Sequence, residues 1–333
     1  MRIVNIAAGL GNQLFFYIFG RYVEMKSGET VVFDDHFFFF RHGVIEETKK
    51  TKPEISMDRV HNGYELERIF PNLAKPTFLR DVVDLRVLLA VYREALVKTS
   101  LEREGVAGII QEKHLNDMVL CAELPIGAHD IYNAYHGRKS FTPLGRFNSN
   151  VAKVSGDVYY YGLWHNPRWF NECKDILSHE LEFPPIQDIR NKNYERMITS
   201  CLSTGIHIRR GDFIMYNRTT PAQYFKTTIE TVLNRFPEAV FFIFSDQISW
   251  CREQREELGL PEASTVFVEG NYNFETNYID IQLMAKCKIL ITNPMSSFSL
   301  VASMLNREEN HISFHLDEYD MTDAADDVGE ALL

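Results

Sequence analysis

The first residues, Arg2-Ile3-Val4-Asn5-Ile6, form a short β-branched run that reads as a strand, and the chain then turns at Gly9-Leu10-Gly11. Beyond the turn Leu14, Phe15, Ile18, Phe19, Tyr22 and Val23 recur at helical spacing and make one apolar face. This pattern predicts a strand over 2–7, a helix over about 12–26 and a second strand from Thr30 to Asp34, which together form a βαβ unit.

The second half is more regular. Short apolar runs at 205–208, 239–244, 265–268, 289–292 and 311–314 alternate with helical patterns at 222–236, 249–258, 276–286 and 297–305. Alternation of this kind predicts a parallel sheet with helices on both faces, whose ligands bind at the carboxyl ends of the strands. Before it come a strand pattern at 158–164, a helix over Pro167 to Leu181, the Pro184-Pro185 break and a linking helix from Ile186 to Cys201. Residues 36–150 read as helical and irregular, with the run His36 to Phe40 assigned to a core and Lys49 to Pro53 to an exposed loop. The expected organisation is an N-terminal α/β domain over 1–185, a second α/β domain over 186–310, and a strand with an acidic tail over 311–333.

At 333 residues, with 45% apolar and 24% charged positions, the chain is long enough for two globular cores. The net charge of -11 is concentrated at the end: residues 301–333 hold nine acids against one base, Arg307. A nearly neutral body gives no footprint for nucleic acid, and no run of apolar residues is long enough for an integral membrane segment. Met1 leads directly into a strand pattern, so a cytoplasmic location is expected. The five cysteines contain no C-x-x-C pair and are expected to be free thiols.

Candidate chemistry gathers at strand ends. His207-Ile208-Arg209-Arg210-Gly211-Asp212 closes one strand with two permanent cations, and a guanidinium fork suits phosphate. In extended backbone the two arginines point to opposite sides, so one binds phosphate and the other braces the site. Ser245-Asp246-Gln247 closes the next strand. Thr292-Asn293 precedes Ser296-Ser297-Phe298-Ser299, which opens a helix whose hydroxyls and amides suit a phosphate. The competing readings are an Arg–Asp212 ion pair in a turn and Ser296 or Ser297 as an ordinary helix cap.

The turn Gly9-Leu10-Gly11-Asn12-Gln13-Leu14 resembles the start of a dinucleotide fingerprint, and Asp34 or Asp35 stands where a ribose-binding acid would be. A nicotinamide-dependent dehydrogenase is therefore a rival reading, although it leaves residues 207–212 unused. A sugar-binding module without activity is another. The absence of D-x-D and H-E-x-x-H motifs points away from a metal, leaving arginines and dipoles to neutralise a diphosphate.

Taken together, these blocks resemble the bacterial α-1,2-fucosyltransferase family. The resemblance is carried by Gly9-Leu10-Gly11-Asn12-Gln13 with Phe19-Gly20-Arg21-Tyr22, Tyr161-Gly162-Leu163-Trp164, residues 207–212, Ser245-Asp246 with Trp250-Cys251, and Asp280, Leu283-Met284 and Cys287 ahead of Ser297-Phe298-Ser299. Two departures stand out: Met295 occupies the family's Asn position, and Leu300-Val301-Ala302 replaces its aromatic run.

The resemblance implies a GT-B architecture of two Rossmann-like domains facing across a cleft. It also implies GDP-fucose as donor substrate, no cofactor or required metal, inversion at the fucose anomeric carbon and a β-galactoside acceptor. Arg209, Arg210, Asp212 and His207 are then the expected catalytic group, with His207 holding Asp212 or the diphosphate. Gly11, Asn12, Gln13, Arg210, Ser245, Asp246, Ser296, Ser297, Phe298 and Ser299 are the expected donor contacts. Tyr161, Trp164 and His165 are read as stacking on the acceptor, with a place in the core as the competing reading for Tyr161 and Trp164.

Overall fold

A computed structural model describes residues 1–35, 38, 63–82, 119–124, 139–215 and 217–315. The acidic tail, the loop from Lys49 to Pro53 and, apart from Phe38, the run from His36 to Phe40 lie outside the described residues. The chain divides into two compact units, Met1–Glu182 and Phe183–Leu333. Each is an α/β unit built on a parallel sheet.

In the first unit β1 (Arg2–Asn5) leads through α1 (Leu10–Ser27) to β2 (Val31–Asp34), as the opening pattern predicts. Helix α1 ends where Gly28 takes the left-handed conformation, φ 72°, and returns its N–H to the Glu24 carbonyl. After α2 (Leu66–Ile69), β3 (Thr77–Phe78) and α3 (Leu79–Val82) come β4 (Val119–Leu124), β5 (Lys139–Pro143) and β6 (Val158–Tyr161). The sheet order is β3-β2-β1-β6-β4-β5.

Strands β3, β4 and β5 correct the helical, irregular reading of residues 36–150. Val-Leu-Cys-Ala-Glu-Leu is a short run whose period fits a helix turn as well as a strand, and only its pairing with β5 and β6 decides the matter. Strand β6 stops at Tyr161, short of the expected 164, because Trp164 turns into the left-handed region at φ 56°. The helix expected over 167–181 is two, α4 (Arg168–Asn171) and α5 (Lys174–Glu180), broken at Cys173, whose φ of -135° is not helical. The core of this unit is aromatic. The Phe19 ring lies 3.8 Å from that of Trp164, nearly parallel, and Trp169 meets Phe19 edge-on at 5.2 Å.

The second unit opens with α6 (Ile189–Ser200). It begins later than expected because Asp188 caps it, its carboxylate accepting the Asn191 N–H at 2.9 Å. Then follow β7 (Ser203–Ile208), α7 (Gly211–Met215), α8 (Ala222–Arg235), β8 (Val240–Ser245), α9 (Ile248–Glu253), β9 (Thr265–Phe267), α10 (Asn277–Met284), β10 (Ile289–Ile291), α11 (Ser297–Met304) and β11 (Ile312–Phe314). The sheet order β11-β10-β7-β8-β9 is doubly wound, with the direction of winding reversing between β7 and β10. Phe225, Ile229 and Val232 of α8 pack with Ile206, Phe241, Ile243, Ile289 and Ile291 of the strands. Full burial of such side chains contributes about 1.5–3 kcal/mol each. Residues 312–314, grouped with the tail in the sequence reading, form an edge strand of this sheet.

Among the described residues, no helix is long and apolar enough to cross a membrane. The five cysteines are free.

Candidate active site

The reversal between β7 and β10 is the place where ligands of doubly wound sheets bind. There the backbone N–H of Arg209 donates to Asn293 Oδ1 at 2.9 Å, tying the end of β7 to the end of β10. On the other side the Arg210 N–H donates to Asp246 Oδ1 at 3.0 Å, tying the same turn to the end of β8.

The two arginines have different surroundings. Arg209 donates through Nε and Nη2 to Asp212 Oδ1, at 3.0 and 2.7 Å, and its Nη1 lies 3.1 Å from Asp246 Oδ2. A guanidinium has five N–H donors, so Arg209 is held from two sides and still has donors to offer. Arg210 lays its guanidinium over the Trp250 ring, 3.5 Å from the centroid, and gives Nε to Gln247 Oε1 at 3.3 Å. No carboxylate pairs with Arg210 among the described residues. The ion-pair reading of the turn therefore holds for Arg209 and not for Arg210.

Gly211 is required by the same arrangement. A Cβ on it would stand 2.3 Å from Asp246 Oδ2, so any side chain would push the carboxylate off the arginines.

His207 is 4% exposed, and its ring stacks with Phe298 at 5.4 Å. Burial, reinforced by the charge of Arg209, pushes its imidazole down to about 3. It is therefore neutral near pH 7 and unfit to exchange protons there. It does not hold Asp212, which bonds Arg209, and its Nδ1 is buried without a partner.

The serines divide by role. Ser245 Oγ accepts the Gln247 N–H at 3.0 Å, and Ser299 Oγ accepts the Asn293 N–H at 3.1 Å, so both shape their own turns. Ser296 occupies the cap position of α11, but its hydroxyl makes no capping bond. Ser297 and Phe298 open the helix behind it. Met295, just before, sits at φ 65°, a conformation that costs an L-residue about 1–2 kcal/mol.

Gly11, Asn12 and Gln13 lie in the first turn of α1, in the other unit. Gln13 is fully buried: Nε2 donates to the carbonyls of Ala8 and Gly63, and Oε1 accepts the Glu65 N–H. Its amide is thus occupied in holding the turn. Asn12 Oδ1 lies 2.9 Å from His165 Nε2. Trp164 is fully buried against Phe19 and offers no face to an acceptor, a correction to the stacking role expected of it.

Gln247 and Asn293 stand out in the sequence only as polar residues at strand ends, without a role, and Glu123 does not stand out at all; the tertiary structure shows what each holds. Glu123 is buried at the end of β4 and accepts the N–H groups of Gly145, at 3.0 Å, and of Leu163, at 2.8 Å, and also that of Trp164.

Comparison with known proteins adds the following. A curated relative, the alpha-1,2-colitosyltransferase of Escherichia coli, is 33% identical over 155 residues, covering 44% of this chain and 51% of its own. The chain thus spans about half the length of the curated relative it matches. Solved structures with a distant likeness include POFUT1 in complex with GDP-fucose, at 11% identity and a TM-score of 0.39 over 94% of this chain and 97% of that one. Another is the NodZ alpha-1,6-fucosyltransferase soaked with GDP-fucose, at 12% identity and 0.43 over 91% and 92%. Similarity at that level carries no weight for the assignment. The family model described as glycosyl transferase family 11 matches residues 146–323, more than half of the sequence, and the chain belongs to that family.

Proposed function

We propose that this protein is an inverting transferase that moves L-fucose from GDP-fucose to the 2-hydroxyl of a terminal β-galactoside, with no cofactor and no required metal. The observation that carries the reading is the arginine pair at the reversal of the second sheet, held by Asp212, Asp246 and Asn293 in a family 11 glycosyltransferase.

In this reading the diphosphate of the donor lies against Arg209 and Arg210. Negative charge grows on the departing GDP as the bond to the fucose carbon breaks. A guanidinium already fixed by two carboxylates meets that charge without having to reorient, which is the property that makes preorganised donors effective in a transition state. Arg210 adds a second cation backed by an aromatic face rather than by an acid. The amides opening α11 and the Ser296 hydroxyl are further donors on that edge. His207 serves as a neutral packing group and not as the base.

The dehydrogenase and lectin readings are not favoured by membership of a glycosyltransferase family. The name of the curated relative does favour one variation, a colitosyl rather than a fucosyl donor. Purified protein incubated with lactose and either GDP-fucose or GDP-colitose, with and without EDTA, tests all of this. GDP release and an α-1,2-linked trisaccharide from GDP-fucose, insensitive to EDTA, are expected. Turnover of GDP-colitose alone would replace the donor, and no GDP release from either would overturn the reading.

A further inference from the structure

The first unit has its own reversal of winding, between β1 and β6, and a second polar pair stands there. Asn12, in the turn after β1, meets His165, in the segment after β6, through Oδ1 and Nε2 at 2.9 Å. We propose that Asn12 and His165 form the hydroxyl-recognising element for the acceptor galactose, with Glu123 as a positioning residue behind them. The inference rests on the transferase reading given above.

The chemistry of the pair is the first argument. With Asn12 Oδ1 as acceptor, Nε2 of His165 carries the proton and Nδ1 is left with its lone pair. Asn12 retains its Nδ2 hydrogens. Apart from the bond between them, the pair thus carries one acceptor, Nδ1, and one donor group, Nδ2. Sugar hydroxyls, each able to give and to take a hydrogen bond, can pair with both kinds of group. Burial pushes the His165 imidazole down to about 4, so the pair is uncharged near pH 7 and suits a neutral sugar rather than a phosphate. So weak a base orients a hydroxyl; it does not remove its proton.

The second argument is what the fold commits to keeping the pair in place. Both segments pass through left-handed backbone at a residue other than glycine, Ala8 at φ 62° and Trp164 at φ 56°. Each such residue costs about 1–3 kcal/mol and persists only where its surroundings over-determine it. For Trp164 the surroundings are the Phe19 stack and the Glu123 carboxylate, which takes the N–H groups of Leu163 and Trp164. Gly162 allows Glu123 to approach, since a Cβ there would stand 2.5 Å from the Glu123 Cβ. For Ala8 the constraint is Gln13, whose Nε2 holds the Ala8 carbonyl at 2.9 Å. His165 itself rests on Phe15, with ring centroids 4.9 Å apart. A buried carboxylate and two strained residues thus converge on the placement of one imidazole beside one amide.

The test uses the intact chain with its histidine rings labelled for NMR, lactose as one probe and GDP as the other. Lactose is expected to shift the His165 ring resonance and leave His207 in place, and GDP to do the reverse. This readout needs no turnover, so it separates the present inference from the transferase reading. A His165 response to lactose in a protein that turns over neither GDP-sugar would retain this site and discard the reaction. If lactose leaves His165 unmoved, or if GDP moves it as much as lactose does, the site is overturned.

Kinetics supply the second measurement. His165→Ala is expected to raise KM for lactose about tenfold while KM for the donor and acceptor-free donor hydrolysis stay within about twofold. Glu123→Gln, if it folds, is expected to show the same split. An equal loss toward donor and acceptor in both variants would assign them to the fold alone.

Discussion

Asp246 faces Arg209 with one carboxylate oxygen, 3.1 Å from Nη1, and uses the other to hold the backbone of Arg210. One side chain just past the end of β8 therefore governs both the orientation of a cation and the path of the turn that carries it. Asp246→Asn retains an oxygen for the Arg210 N–H but loses the charge facing Arg209. A fall in kcat/KM of about 10- to 100-fold is expected, corresponding to about 1.5–3 kcal/mol for a charged hydrogen bond, with a melting temperature close to the parent's. Unchanged steady-state kinetics would remove Asp246 from the site.

The two arginines differ in what lysine can replace. At Arg209 a lysine cannot meet Asp212, Asp246 and a phosphate together, whereas at Arg210 an ammonium can still sit over Trp250. Arg209→Lys is expected to lower kcat/KM by about 100-fold and Arg210→Lys by less than about tenfold. Arg210→Ala with full activity would show that phosphate does not use this residue.

Gly211→Ala tests the space beneath the turn. The added methyl competes with Asp246 Oδ2, so a loss of about 1–3 kcal/mol in urea unfolding and a weakened affinity for GDP are expected together. Calorimetric titration with GDP measures the second effect directly.

Met295 stands in left-handed backbone where the resembled family has asparagine, the side chain that tolerates that region better. Met295→Asn is expected to raise stability by about 0.5–1 kcal/mol without touching the core. Denaturant midpoints would show it, and a drop in midpoint would mean that the methionine side chain contributes more than its backbone costs.

Acid should destabilise the protein through two of its histidines. His165 and His207 are pushed from 6.5 to about 4 and about 3, so below about pH 6.5 the unfolded chain binds protons that the native state refuses. Stability due to their neutral forms is complete above the unfolded value and is lost as pH falls toward the folded values. A loss of about 1–2 kcal/mol per histidine is expected between about pH 6.5 and 5. Urea midpoints measured across that range should flatten in His207→Phe, and an unchanged slope would show that His207 is not the source.

The regular alternation of the second half was legible because each strand is a compact apolar run and each helix shows its own period. Strands β3, β4 and β5 were not, because short runs such as Val119 to Leu124 acquire their identity from partners 19 and 39 residues further along the chain. At the site, Arg209, Arg210 and Asp246 were visible as polar residues closing strands. A division of labour between the arginines was expected, but not which of them is held by carboxylates, since that depends on Trp250 and Gln247 coming from a different helix start. Glu123 escaped altogether, and Asn293 was visible only as a polar strand end, because a carboxylate or amide that collects backbone N–H groups has no pattern of its own. Ser299, read as part of a phosphate cradle, and Ser245, read as a donor contact at a strand end, both have hydroxyls occupied by their own turns.

The end of β7 is fastened on both sides, to Asn293 through the Arg209 amide and to Asp246 through the Arg210 amide. A loop at a ligand-binding edge ordinarily exchanges its amide hydrogens freely, but these two are locked much as they would be inside a strand. Their exchange should follow the slow openings of the sheet rather than fast loop motion. An anion arriving at this edge meets a surface whose ordering entropy was settled when the chain folded, so its affinity is not reduced by having to freeze the loop that receives it.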